Sequence, residues 1–142
     1  MVGDVRYARR MEIRYVWRGY LTNRAVNALH AAGFGHEPFD DDWESQLDRH
    51  SLGWVCAYDG EELVGFVNVA WDGAFHAFIL DTLVTSRLQR RGIGAQLVAV
   101  AASRARDSGC EWLHVDFDPE LRGFYLEACG FKLTEAGLIQ LR

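Results

Sequence analysis

Gln89-Arg90-Arg91-Gly92-Ile93-Gly94-Ala95 lies between an apolar run that ends at Val84 and an apolar-periodic run that continues to about Arg106. It reads as the turn from a strand into a helix. Glycine at 92 and 94 removes the Cβ atoms that would block a ligand, so successive backbone N–H groups of the first helical turn can all point at one anion. The helix dipole adds partial positive charge there, and Arg87, Arg90 and Arg91 bring full charges on flexible arms. The stretch therefore predicts a phosphate or pyrophosphate cradle, and everything around it is read as the scaffold that places it.

The scaffold is one domain. At 142 residues with 49% hydrophobic content, the chain is long enough for one sizeable core and too short for two ordinary ones. Residues 1–10 are polar without a clear period and read as a loose N-terminal arm or an edge element. Twenty acidic against 15 basic residues give a net charge of -5, which opposes a general nucleic-acid binder. Cys56, Cys110 and Cys129 are widely spaced with no Cys-x-x-Cys pair, so neither a disulfide framework nor a metal site is expected. With no long apolar run, no membrane association is expected and the expected location is cytoplasmic.

Upstream of the loop, 11–17 alternates in the manner of a half-buried first strand. Thr22 or Asn23 caps a helix through Val26, Leu29 and His30 that stops at Gly33 or Gly35, and Pro38 opens a second helix ending near Ser51. Gly53 to Tyr58, an Asp59-Gly60 turn and Leu63 to Trp71 form a hairpin. The next strand, 75–85, is apolar on both faces, with Phe78, Leu80 and Thr82 on one side and Ile79, Asp81 and Leu83 on the other. It reads as a central strand covered on both sides. Downstream, a helix closes at Asp107-Ser108-Gly109, 112–117 is a strand, and the strand–helix–strand order predicts a parallel βαβ unit. Pro119 opens a short helix ended by Gly130. Residues 131–133 and 138–141 read as a terminal hairpin.

Two motifs in this order resemble the GNAT superfamily of acetyl-CoA-dependent N-acetyltransferases. One is Leu83-Val84-Thr85-Ser86-Arg87-Leu88-Gln89-Arg90-Arg91-Gly92-Ile93-Gly94, similar to the family's strand followed by Gln/Arg-x-x-Gly-x-Gly/Ala; the other is Gly123-Phe124-Tyr125-Leu126-Glu127-Ala128-Cys129-Gly130-Phe131, similar to its Tyr-x-x-x-x-Gly-Phe segment. The resemblance covers the chain from about Met11 onward. It implies an α/β (α+β) fold, a mixed central sheet splayed between the strand ending near Val84 and the strand at 112–117, flanked by about four helices, with acetyl-CoA in the cleft. It also implies that Gln89 and the N–H groups of Arg90, Arg91, Gly92, Ile93, Gly94 and Ala95 hold the pyrophosphate, while Thr82, Leu83 and Val84 bond the pantetheine arm through main-chain groups.

The reaction so implied needs an amine, a base for its proton and an acid for the departing thiolate. Tyr125 takes the place of the acid. Asp81, an acid on the strand beside the loop, is the candidate base, with His76 and His114 as alternatives. Asp118 stands where the family commonly has a cofactor-contacting asparagine, so that role is not carried onto it; it is read as a helix cap or a group facing the amine. The acidic and aromatic segment containing Asp41, Trp43 and Glu44 is the candidate acceptor site, suited to a cationic amine on a small molecule or peptide. Exposed strand edges are compatible with a homodimer. The leading expectation is an N-acetyltransferase acting by direct attack in a ternary complex. The alternative is a non-catalytic acyl-CoA-binding sensor or interaction domain.

Overall fold

The computed structural model describes residues 11–142, so the N-terminal arm expected at 1–10 lies outside the described residues. Five strands form one sheet in the order β1 (Ile13–Trp17), β2 (Ser51–Asp59), β3 (Glu62–Trp71), β4 (His76–Val84), β5 (Trp112–His114). The first four are antiparallel neighbours and β5 runs parallel to β4. The parallel pair is joined through α3 (Ile93–Asp107), as a strand–helix–strand connection requires.

The sheet carries a core on each face. On one, α3 sets Leu97, Ala101 and Ala105 against Val55, Val67, Val69, Ala77 and Ile79. On the other, α1 (Asn23–Phe34) and α2 (Trp43–His50) set Val26, Leu29, Trp43 and Leu47 against Cys56, Phe66 and Leu83. The ends of α1 follow local chemistry. Thr22 Oγ1 accepts the Ala25 N–H at 3.1 Å, and Gly35 closes the helix at φ 71, where a side chain would be strained.

The second helix starts at Trp43, later than the proline signal at Pro38 predicts. Its start is fixed from α1: Asp42 Oδ1 caps the Ser45 N–H at 3.1 Å and takes a bond from Asn23 Nδ2 at 3.3 Å, while Asn23 Oδ1 accepts the Glu44 N–H at 2.9 Å. These bonds satisfy the first turn at 42–45 and leave 35–42 irregular.

Three further expectations are corrected. First, β4 is covered on one face only over its first half, since Phe78 and Leu80 are 38% and 39% exposed. Second, its alternation is broken. Phe66 pairs with Leu83 but Asn68 pairs with Leu80, so β4 carries an extra residue here, and Asp81 sits at φ 56. This bulge turns Leu83 into the α1/α2 core, whereas Ala77 and Ile79 face α3. Third, no strand follows β5 among the described residues. Residues 131–142 form neither strand nor helix, and Leu133, Leu138, Ile139 and Leu141 are exposed.

The last helical stretch comprises a tight turn at Pro119–Leu121 and a wide-turned helix α4 (Gly123–Ala128), ended by Gly130 at φ 80. Asp118 precedes it without a capping bond from its side chain.

Candidate active site

The sheet opens beside β4. Pairing of β4 with β5 covers only His76↔Trp112, Ala77↔Leu113 and Phe78↔His114, so among the described residues β4 from Ile79 to Val84 is without a partner on that edge. The apolar pattern predicts that β5 continues to Phe117. Instead, the chain diverges after His114, and Tyr125 of α4 stands between the two branches. Its hydroxyl donates to Thr82 Oγ1 at 3.2 Å, and its ring stacks on Phe117 with centroids 5.2 Å apart. Phe124 and Phe131 meet the same ring edge-on. Tyr125 is buried, and burial raises its pKa above the ordinary phenol value, with the Thr82 bond pulling the other way. The phenol therefore keeps its proton through neutral pH.

At the far end of this edge the chain enters α3 through two left-handed residues, Arg90 at φ 63 and Gly92 at φ 82. Gly92 is the N-cap. It brings no capping side chain, and the first turn of α3 has no acid. Among the described residues the first N–H groups of α3 are thus left without a side-chain acceptor, and space within 4 Å of a Cβ at Gly92 is open. An anion fits that terminus. Gly94 serves packing instead. A Cβ there would lie 3.1 Å from the Phe124 ring, so the missing side chain lets α3 close onto α4.

Two loop side chains are already engaged. Gln89 Nε2 donates to the Val84 carbonyl at 3.2 Å and braces the loop against β4. Arg87 is held by Glu62 at 2.7 Å and lies 3.9 Å from Asp59. Arg90 and Arg91 are the loop cations with no ion pair among the described residues.

Asp81 lies one residue from Thr82, but the bulge turns it to the α1 side, where its Oδ1 is 3.4 Å from His30 Nε2. Burial pushes its carboxyl up, and His30 pulls it back when its ring carries a proton at Nε2. Tyr125 and Asp81 therefore flank the same free edge from opposite faces of the sheet. His30 was legible only as part of an apolar helix face; the signal was a polar ring in that stripe, which needs a partner.

Of the expected acceptor residues, Trp43 is buried, with Nε1 donating to Asn27 Oδ1 at 3.0 Å, so it is a core residue and offers no open stacking surface. Asn27 Nδ2 also holds the Asp41 carbonyl at 3.0 Å. Asp41 and Glu44 are exposed, but Glu44 lines a hollow with Arg18, Tyr20 and Trp54, whereas the exposed Phe34 and Phe39 pack on His30 and His36. His76 and His114 bond each other at 2.7 Å within the paired end of the β4–β5 wedge, away from the bulge. Among the described residues, no three His, Cys, Asp or Glu side chains gather as a metal site, and no helix is long and apolar enough to cross a membrane.

The sheet thus parts beside an uncapped helix terminus, with a proton-bearing phenol at the parting. The chain belongs to the acetyltransferase (GNAT) family, whose model matches residues 23–131. No curated relative matches in sequence. Among solved structures, a probable acetyltransferase from meticillin-resistant Staphylococcus aureus is similar at 20% identity and TM-score 0.75, covering 92% of this chain and 99% of its own. A GNAT family protein from Streptococcus pneumoniae gives 23% identity and TM-score 0.74 over 92% and 98%. An aminoglycoside N-acetyltransferase crystallised with CoA gives 20% identity and TM-score 0.75 over 95% and 97%. These likenesses show a shared fold over nine-tenths of the chain.

Proposed function

We propose that this chain transfers an acetyl group from acetyl-CoA to a primary amine of a small molecule or peptide, by direct attack with both substrates bound. The observation that carries the reading is the unpaired edge of β4, which runs from the uncapped terminus of α3 to a point flanked by Tyr125 and Asp81. Acetyl-CoA would supply an activated thioester and a diphosphate.

The N–H groups of Gly92, Ile93, Gly94 and Ala95, with Arg90 and Arg91, would hold the diphosphate. Main-chain groups of Thr82, Leu83 and Val84 on the free edge would bond the pantetheine arm; the Val84 carbonyl already has the Gln89 amide as a partner. Tyr125 keeps a proton on its hydroxyl oxygen for a thiolate leaving group, and Asp81 takes the proton of the amine at a carboxylate oxygen. Burial of Tyr125, with its ring stacked on Phe117, limits the access of water to the phenol.

The acceptor enters from the α1/α2 side. There Asp81 and Asp41 offer negative charge, and Phe34, Phe39 and Leu80 offer apolar surface, which suits a cation on a partly apolar frame. Aminoglycosides, polyamines and peptide N-termini share that chemistry.

The test is release of free CoA thiol from acetyl-CoA across a panel of such amines. Release that depends on amine concentration and yields an acetylated product of matching mass is expected. Hydrolytic background with every amine, alongside saturable acetyl-CoA binding, would favour a sensor over an enzyme.

A further inference from the structure

Asp81 does not stand alone on the acceptor side. His30 Nε2 lies 3.4 Å from Asp81 Oδ1, His30 Nδ1 lies 2.8 Å from His36 Nε2, and His36 Nδ1 lies 2.6 Å from the carbonyl of Glu37. The tautomers of this row follow from its last member. A carbonyl oxygen only accepts, so His36 Nδ1 carries hydrogen; neutral His36 then has a lone pair at Nε2, and His30 must donate to it from Nδ1. Neutral His30 is left with a bare Nε2 facing a carboxylate oxygen, two acceptors with room for one proton between them.

We propose that His30, locked in its Nδ1–H form by His36 and the Glu37 carbonyl, is a positioning residue that receives at Nε2 the proton Asp81 removes from the acceptor amine. The inference rests on the assignment of Asp81 as base. In the step, the amine N–H bond breaks, its electron pair stays on nitrogen, and the proton passes to Asp81 Oδ1. An Nε2–H bond then forms on His30, which restores the carboxylate beside an imidazolium. Nothing is oxidised, and the one proton removed is the one gained.

The rings are held for this. Phe34 lies 4.5 Å and Trp43 5.7 Å from the His30 ring centroid, and His36 stacks on Phe39 at 4.1 Å. The titratable groups facing His30 are Asp81 from β4 and His36 from the loop after α1, whereas α2 presents the neutral Trp43. His30 retains partial exposure, with 23% of its side chain open, so the charge it gains is not stranded in the core.

The test combines nitrogen-15 NMR of the histidine rings in the whole protein with kcat against pH. The resting enzyme should show His30 as the Nδ1–H tautomer. His36→Leu should abolish that preference and His36→Gln, whose amide oxygen accepts a bond, should restore it. In His30→Gln the proton removed from the amine must stay on Asp81, so the acid limb of kcat should move. The substitution should also lower kcat by roughly tenfold to a hundredfold with the amine KM within about threefold. An Nε2–H tautomer in the wild-type protein, or an unmoved pH profile in His30→Gln while Asp81→Asn loses turnover, overturns this inference alone. Full turnover in Asp81→Asn removes the base assignment and this inference with it.

Discussion

Replacing Tyr125 with phenylalanine removes one oxygen from the place where β4 and β5 part. The ring is kept, so stacking on Phe117 and the edge contacts of Phe124 and Phe131 persist. What is lost structurally is one hydrogen bond, to Thr82 Oγ1 at 3.2 Å, and Thr82 is half-buried, so its hydroxyl can turn to another partner. That loss costs about 0.5–1.5 kcal/mol, which for a chain of this size lowers Tm by roughly 2–5 °C. The chemical loss is larger. A positioned proton donor contributes on the order of 10²–10⁴ in rate, or about 3–5 kcal/mol of barrier. The terminus of α3 is untouched, so acetyl-CoA affinity should stay within about threefold. Stopped-flow or steady-state thiol release, calorimetry with acetyl-CoA and a melting curve separate the three quantities. A kcat within about fivefold of wild type, or equal losses in kcat and acetyl-CoA affinity, would refute the acid assignment.

Other outcomes follow from the same geometry. Gly94→Leu places side-chain atoms where a Cβ alone would already approach the Phe124 ring to 3.1 Å; it should push α4 from α3 and lower kcat with Tm, as activity assays and thermal melts would show together. Cys56 is fully buried and its thiol is pushed up to about 11, so at pH 8 a thiol reagent should label the half-exposed Cys110 and Cys129 in the native protein and reach Cys56 only on unfolding. The raised value also has a sign in stability: folding favours the neutral thiol, so its contribution is complete below the unfolded value of 9.0 and is lost as pH rises through about 11. Cys56→Ala should flatten that alkaline decline, measured by denaturant titration at pH 8 and pH 11.

Local chemistry carried much of the fold into the sequence. The Thr22 cap, the Asp59-Gly60 turn, the Gly92 entry to α3 and the strand–helix–strand order each act over a few residues, and each is found where the pattern places it. The start of α2 was hidden because it is set by Asn23, across the gap between two helices. The bulge at Asp81 was hidden too: His76 to Val84 alternates without interruption as text, and only pairing with β3 reveals the extra residue. That one residue decides the candidate site, since it exchanges the two faces: Asp81 turns to His30 on the α1 side and Thr82 to Tyr125, the reverse of an unbroken alternation from Ile79. Trp43 has the look of an open aromatic among acids, yet its indole finds Asn27 and the second core. The His30–His36 bond bridges the left-handed turn at Gly35, a contact that helical spacing does not announce.

The central claim is that the uncapped start of α3 holds the diphosphate of acetyl-CoA. Its most direct test is calorimetric titration with acetyl-CoA of the wild-type protein and of Gly92→Val, whose β-branched side chain is strained at φ 82 and occupies the open space before the helix. Saturable binding by the wild type that weakens with added salt, and its loss in a variant that retains its circular-dichroism spectrum, is the predicted result. Absence of binding by the wild type, or undiminished affinity in Gly92→Val, would contradict the account.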